Sequence, residues 1–405
     1  MKSSIFHEIY SIVSAIFLFF LLLTPVSSAI ELKDLGHVNQ PSESNGDSKK
    51  MKLIKDTLRK INKPFSPDGD IIDCVMIHLQ PAFDHPMLKA VRPLDPPEIP
   101  NGNKNGGLES EVKQLWSSNR ESCPHGTIPI RRTTDSDILR SNSISEFGMK
   151  FTDSSYNGHE HAIAFVRDGE FYGAKATLNV WAPNVTRVGE FSLSQIWVIS
   201  DPSKNMSTFE AGWQVSPTMY NNSNLPRFFT YWTNDGYRSG CYNLMCSGFI
   251  QTTPKICLGA AIAPISKYNG GQFVITILIW QDPRHGNWWL KVGSTIVGYW
   301  PVALFPNLKE HATVIEYGGE VYNAQTEGPH TSTKMGSGHF PSEGYRKAAY
   351  IRNMEFVDQD NNLIPIQSVE LLAERENCYN VRNGFDSNWG NYIFFGGPGN
   401  NPNCP

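Results

Sequence analysis

The stretch "TFEAGWQV", residues 208–215, alternates with a period of two, the pattern of a β-strand. Phe209, Ala211, Trp213 and Val215 fall on one side of it, and Glu210, Gly212 and Gln214 on the other. Successive side chains of a strand point to opposite faces, so one face is apolar and the other is small and polar around a carboxylate. The design recurs in "VIEYGGEVYN", residues 314–323, where Glu316, Gly318 and Glu320 share a face and Ile315, Tyr317, Gly319 and Val321 the opposite one. Glycine within a strand gives up packing. Its place beside acids on both strands predicts either a peptide or sugar lying close to the backbone or a bulge or bend in the sheet with solvated glutamates.

The surrounding segments have the same period. "HAIAFVRDGEFYGAKATLNVW" (161–181, with a turn at Asp168-Gly169), "FSLSQIWVIS" (191–200), "RFFTYWTNDGY" (227–237), "QFVITILIWQD" (272–282), "NWWLKVGSTIVGYWP" (287–301) and "AAYIRNMEFVD" (348–358) are short, aromatic or β-branched, and jointed by Gly and Asn. No helical period of useful length follows about residue 160. The chain is therefore expected to be all-β, an antiparallel β-sandwich of two curved sheets, with a closed barrel as the alternative. No repeat of fixed period supports a propeller or solenoid.

At 405 residues with 40% hydrophobic and 12% aromatic content the chain can bury a large core, and a net charge of -4 lacks the basic excess of a nucleic-acid binder. Lys2, the apolar run from Ile9 to Thr24 and the small residues Ser27 and Ala29 predict a signal peptide over 1–29, a retained anchor being the rival. A secreted protein follows, in the cell wall or another external space, with the vacuole as the alternative. After removal of the signal no membrane segment is expected. Sequons at Asn184, Asn205 and Asn221 fit glycosylation on that route. Of seven cysteines, Cys241 and Cys246 suit a staple across a turn, and Cys378 with Cys404 would tie down the C-terminal tail. Cys74 and Cys123 are a candidate third pair in the N-terminal part, which leaves Cys257, in apolar "ICLGAAI", as the expected free buried thiol.

"KKMKLIKDTLRKINKP", 49–64, carries Leu53, Ile54, Leu58 and Ile61 at helical spacing and predicts a short amphipathic helix. "LDPPEIPNGNKNGGL", 94–108, reads as a linker or exposed loop.

Chemistry points first to the acids, since hydrolysis commonly needs an acid and a base held together. "GHEHAIAF" (158–165) places His159 and His161 on one strand face, without the HExxH spacing of a helical zinc site. No GxSxG elbow, P-loop or GxGxxG is present. No metal or other cofactor is expected.

"TFEAGWQV", "FFTYWTNDGYRSGCYNLMCSGFIQ", "ITILIWQDPRHGNWWL", "VGYWP", "IEYGGEVYN" and "HTSTKMGSGHFPSEGYRKAAYIRN" together resemble the neprosin family of plant glutamic peptidases, in an order covering about residues 155–405. "DIIDCVMIHLQPAFDHPMLK" and "CPHGTIPIRRTT" resemble that family's activation peptide. The resemblance implies a signal (1–29), a small mixed α/β pro-domain (30–150) acting as intramolecular inhibitor, and a sandwich peptidase domain (151–405). It implies a monomeric, metal-free endopeptidase that acts on peptides and proteins, cutting after proline at acid pH. By the same resemblance Glu210, in the acid-x-Gly-Trp strand with Trp213, is the first catalytic residue, and Glu320, after Gly-Gly, the second. Glu316 has the parity of Glu320 and is the fallback, and Gln214 is a candidate to orient the water or the oxyanion. Two such carboxylates in a partly dry cleft would share one proton and titrate as a pair. A two-carboxylate glycosidase and an inactive polymer- or peptide-binding sandwich are the alternatives.

Overall fold

Two antiparallel sheets stack with their apolar faces together. In the computed structural model, residues 66–89, 95–102, 110–118, 122–134, 137–138, 147–150, 158–201, 205–324 and 327–405 are described. The signal segment and the helix expected at 49–64 lie outside them. The residues from Pro64 onward form one unit.

The first sheet runs Cys241–Tyr242, Arg227–Thr233, Thr208–Val215, Phe191–Ile199, Ala312–Tyr322, His159–Phe171, Glu370–Ala373 from edge to edge. Every neighbouring pair is antiparallel. The second is built on Thr295–Trp300, Trp288–Val292, Phe273–Gln281, Gly173–Asn179, Ala349–Val357, Gly390–Gly396 and Asn380–Asp386, with Ile250–Gln251 at one edge. The alternation assigns the faces as expected. Phe209, Ala211, Trp213 and Val215 are fully buried between the sheets. Phe209 stacks on Trp300 at 4.8 Å and meets Phe305 edge-on at 4.7 Å. Trp213 sends its indole N–H to the Asn179 carbonyl at 3.0 Å, so its one polar atom is satisfied within the core.

The other face of the first sheet has an apolar layer of its own, made of Phe191, Leu193, Trp197, Phe229, Tyr231, Tyr242 and Tyr322. It is the floor on which the acids stand.

The N-terminal region is described only in part. Its described residues form an antiparallel pair of Ile72–Met76 with Thr127–Arg131, two short strands, three 3-10 turns and a helical turn at 137–138; the rest of the expected mixed α/β pro-domain lies outside the described residues. Backbone groups of the described part find partners on the sandwich. Ser110–Glu111 pairs in parallel with Phe273–Gln281, and Lys113–Gln114 pairs with Ile262–Ala263. A buried ion network reinforces the seam. Arg227, 1% exposed, holds Asp68 at 3.1 Å and also Asp70, while Arg131 holds Asp70 at 2.9 Å and Asp137 at 3.6 Å.

Cysteines pair as Cys74–Cys123, Cys241–Cys246 and Cys378–Cys404, and Cys257 is free and buried. Among the described residues no helix is long and apolar enough to cross a membrane.

Candidate active site

Strand register arranges the acids in three rungs across the floor. Glu210 lies opposite Trp197, which lies opposite Glu316. Gly212, Gln195 and Gly318 form the next rung, and Gln214, Leu193, Glu320 and His161 the one beyond. Glu210 and Glu320 are thus diagonal to each other, with Gln195 between two glycines in the intervening rung.

At those glycines the neighbouring strands come close. A Cβ on Gly212 would sit 2.0 Å from the Ser194 carbonyl oxygen and 2.6 Å from Gln195 Cβ. One on Gly318 would sit 2.4 Å from the Ala162 oxygen. The strands press together there, closer than any side chain permits.

Each carboxylate is fully buried with its own set of partners. Glu210 accepts hydrogen bonds from Thr208 Oγ1 (2.9 Å) and Tyr237 OH (2.7 Å) on Oε1, and from Gln195 Nε2 (2.8 Å) on Oε2. Glu320 Oε1 is hydrogen-bonded to His159 Nδ1, and its Oε2 lies 3.9 Å from His161 Nε2. The two acids meet at Lys150. Its Nζ is 3.0 Å from Glu320 Oε2 and 3.5 Å from Glu210 Oε2, and its side chain is 5% exposed.

No sequence motif pointed to Lys150. It ends the described segment 147–150, which lies on the aromatic floor. Tyr242 N–H donates to the Gly148 carbonyl at 2.7 Å, and Lys150 N–H to Tyr231 OH at 3.3 Å. The ammonium sits 5.3 Å above the Tyr237 ring. Gly148, at φ 81°, takes a backbone conformation that suits glycine, and a Cβ there would come within 2.9 Å of Met245 Cβ.

Burial alone would raise the Glu320 carboxyl, but Lys150, then the bond from His159 and the charge of His161, hold it well below the usual range. Burial would lower Lys150, and the charges of Glu210 and Glu320 push it above its ordinary value instead. Glu316, one rung pair away, is raised to about 7 by burial, against the pull of His161.

The remaining candidates separate. Gln214 shares the floor but bonds Tyr220 OH (3.1 Å), not an acid; Gln195, from the neighbouring strand, takes that place. Trp213 points the opposite way, into the core. His159 and His161 share the floor face as parity required, while Glu160 between them turns away to His330 at 2.8 Å. His330 also lies near Cys378 and Cys404, whose sulfurs are joined to each other and so unavailable as thiolate ligands. Asn184, Asn205 and Asn221 are all exposed.

Comparison with solved structures finds slight likenesses. Scytalido-glutamic peptidase with a peptide-based transition state analog is 9% identical, over 59% of this chain and 98% of that one, with a TM-score of 0.31. SCP-B, a member of the Eqolisin family in complex with the tripeptide Ala-Ile-His, is 10% identical over 58% and 96%, with a TM-score of 0.29. Such values are too low to transfer anything. Sequence profiles are decisive: the neprosin activation peptide matches residues 64–165 and neprosin itself residues 188–398, more than half of the 405. The chain belongs to the neprosin family and carries that family's activation peptide.

Proposed function

We propose that this protein is a secreted glutamic endopeptidase, made as a zymogen, that hydrolyses peptide bonds after proline at acid pH. The observation that carries the reading is the meeting of Glu210 and Glu320, from two strands of one sheet, within 3.5 Å of a single ammonium. An arrangement that gathers two buried carboxylates around one point suits a reaction in which one takes a proton while the other gives one.

Their orientation favours this too. Both Oε2 atoms are turned to Lys150, while Glu210 Oε2 also accepts from Gln195 and Glu320 Oε2 lies near His161. Once Lys150 leaves, those oxygens face the vacated space, where a water and a scissile carbonyl would lie between them. With a proton on one, the other draws a proton from the water as its oxygen bonds to the carbonyl carbon. The protonated carboxyl donates to the carbonyl oxygen, and on collapse the C–N bond breaks as the nitrogen receives the water-derived proton. The diol returns the last proton and the pair is restored.

Latency has a physical reading in the same terms. Lys150 fills the reaction point with a charge opposite to both acids, and residues 147–150 cover the aromatic floor on which an extended peptide would lie. The pro-region is thus an intramolecular inhibitor, and activation requires a break that frees Lys150. The exposure of all three sequon asparagines fits a secretory route.

The test is to acidify the purified full-length protein, sequence the new N-terminus, and offer a mixed peptide library with and without a chelator. Cuts after proline that survive chelation, made by a chain beginning beyond Lys150, support the reading. No cleavage of any peptide by the processed chain, or chelator-sensitive cleavage, refutes it.

A further inference from the structure

The two glutamates stand in unlike surroundings, and the difference outlasts the departure of Lys150. Glu320 keeps two imidazoles, His159 at Oε1 and His161 at 3.9 Å from Oε2. His161 is itself aimed: Glu374 accepts from its backbone N–H at 2.8 Å and lies 2.9 Å from its Nδ1, which leaves Nε2 turned to Glu320. Glu210 keeps only neutral donors, the Thr208 and Tyr237 hydroxyls and the Gln195 amide.

Gln195 adds a second, independent sign. Its Oε1 is buried and, among the described residues, has no hydrogen-bond partner. The two ends of an amide are nearly alike in shape, so a half-turn of the group presents that oxygen to Glu210. An acceptor there suits a carboxyl that carries a proton; the present donor suits one that does not.

We infer that His159 and His161, the latter braced by Glu374, are positioning residues that keep Glu320 ionised as the base that activates water, leaving Glu210 as the proton donor. The inference rests on the glutamic-peptidase reading and assigns within it the roles that parity leaves open. It also gives the "HEH" motif of residues 159–161 a use other than metal binding. The groups facing Glu320 are Lys150 from the pro-region, His159 and His161 on the neighbouring strand, Glu316 on its own strand, Glu210 across the floor, Glu374 beyond the sheet edge, and the hydroxyls of Tyr237 and Tyr242. Of these the mature enzyme loses Lys150, so the imidazoles of His159 and His161 remain as the groups beside the base. His161 is raised toward the charged form: burial opposes this, but Glu374 and Glu320 prevail.

The pH dependence of kcat/KM for the acid-activated enzyme on a fluorogenic proline peptide tests it. The acid limb reports the base and the other limb the acid. His159→Asn should move the acid limb upward, since it removes the hydrogen bond that Glu320 Oε1 receives from the ring. His161→Asn and Glu374→Gln should move it the same way by less, with the other limb unmoved in all three. In the residual activity of Glu320→Gln the acid limb should vanish, and in that of Glu210→Gln the other limb. An acid limb that stays in place in the folded histidine and Glu374 variants, or that persists in Glu320→Gln, overturns the assignment. Should His159→Asn not fold, the half-exposed pair His161 and Glu374 carries the test. Wild-type cleavage rates in both Glu210→Gln and Glu320→Gln would instead defeat the dyad reading itself.

Discussion

Replacing Lys150 with Met removes one ammonium and nothing else of comparable size, and the consequence for the proenzyme is large. The nitrogen lies 3.0 and 3.5 Å from two fully buried carboxylates. At an effective dielectric of about 20 each contact is worth roughly 5 kcal/mol of Coulomb energy, most of it offset by the desolvation of all three groups. Breaking such a buried set by deleting one partner typically costs about 3–5 kcal/mol, which would populate the undocked pro-region roughly 10² to 10⁴ times more often. The pH dependence has a definite sign. Glu320 is held below its ordinary 4.5 by Lys150 and the histidines acting against burial. A depressed carboxyl stabilises the folded state above 4.5, and that contribution is lost as pH falls through its folded value. The wild-type clamp therefore loosens only in acid, whereas the Lys150→Met proenzyme should open and be processed at near-neutral pH. Incubating both at a series of pH values, with a trace of mature enzyme, and following the processed band and fluorogenic activity measures this directly. Processing of the variant at the same pH and within about twofold of the wild-type rate would rule out the Lys150 clamp, since a loss of about 3–5 kcal/mol leaves no room for that result.

Three further outcomes are expected. Glu210→Gln and Glu320→Gln should each lower turnover of the mature enzyme by roughly 10² to 10⁴ with the circular-dichroism spectrum unchanged; full activity in a folded variant of either would remove that residue from the pair. Asp70→Asn, in the seam with Arg227 and Arg131, should lower the melting temperature of the proenzyme by several degrees, on the scale of about 3–5 kcal/mol for a broken buried ion pair, while leaving kcat/KM of the mature enzyme as it was. An equal loss in both forms would mean that the network serves the sandwich and not the pro-region. Glu316→Gln should stabilise the protein at high pH: burial raises this carboxyl to about 7, so its ionisation costs stability as pH rises from 4.5 toward 7, and the neutral amide escapes that cost. Melting temperatures of variant and parent should agree at pH 4 and diverge at pH 8; a constant difference between those pH values would contradict the burial argument.

What the sequence disclosed about this site divides along the range of the forces involved. Strand parity depends only on adjacent residues, so the faces of Glu210, Glu316 and Glu320, and the common face of His159 and His161, were readable from "TFEAGWQV", "VIEYGGEVYN" and "GHEHAIAF" alone. Parity cannot choose neighbours, however. Gln214 shares the face of Glu210 as surely as any residue, yet register sets Gln195, from another strand, against the carboxylate. Trp213 follows in the same strand but faces the core, where its indole is bound to Asn179. The glycines were ambiguous for a related reason: whether a missing side chain makes space or closes it depends on the next strand, and here the Ser194 and Ala162 carbonyls already occupy the position. Lys150 is the extreme case. It lies in no strand, and its partners are 60 and 170 residues away, so nothing local marks it. The same distance explains why it can serve as a clamp: a group that reaches the acids only after the floor strands have paired cannot form its ion pairs before the sheet exists. Latency through Lys150, as proposed, would therefore be a property of the completed sandwich, and a chain beginning beyond residue 150 should lack it.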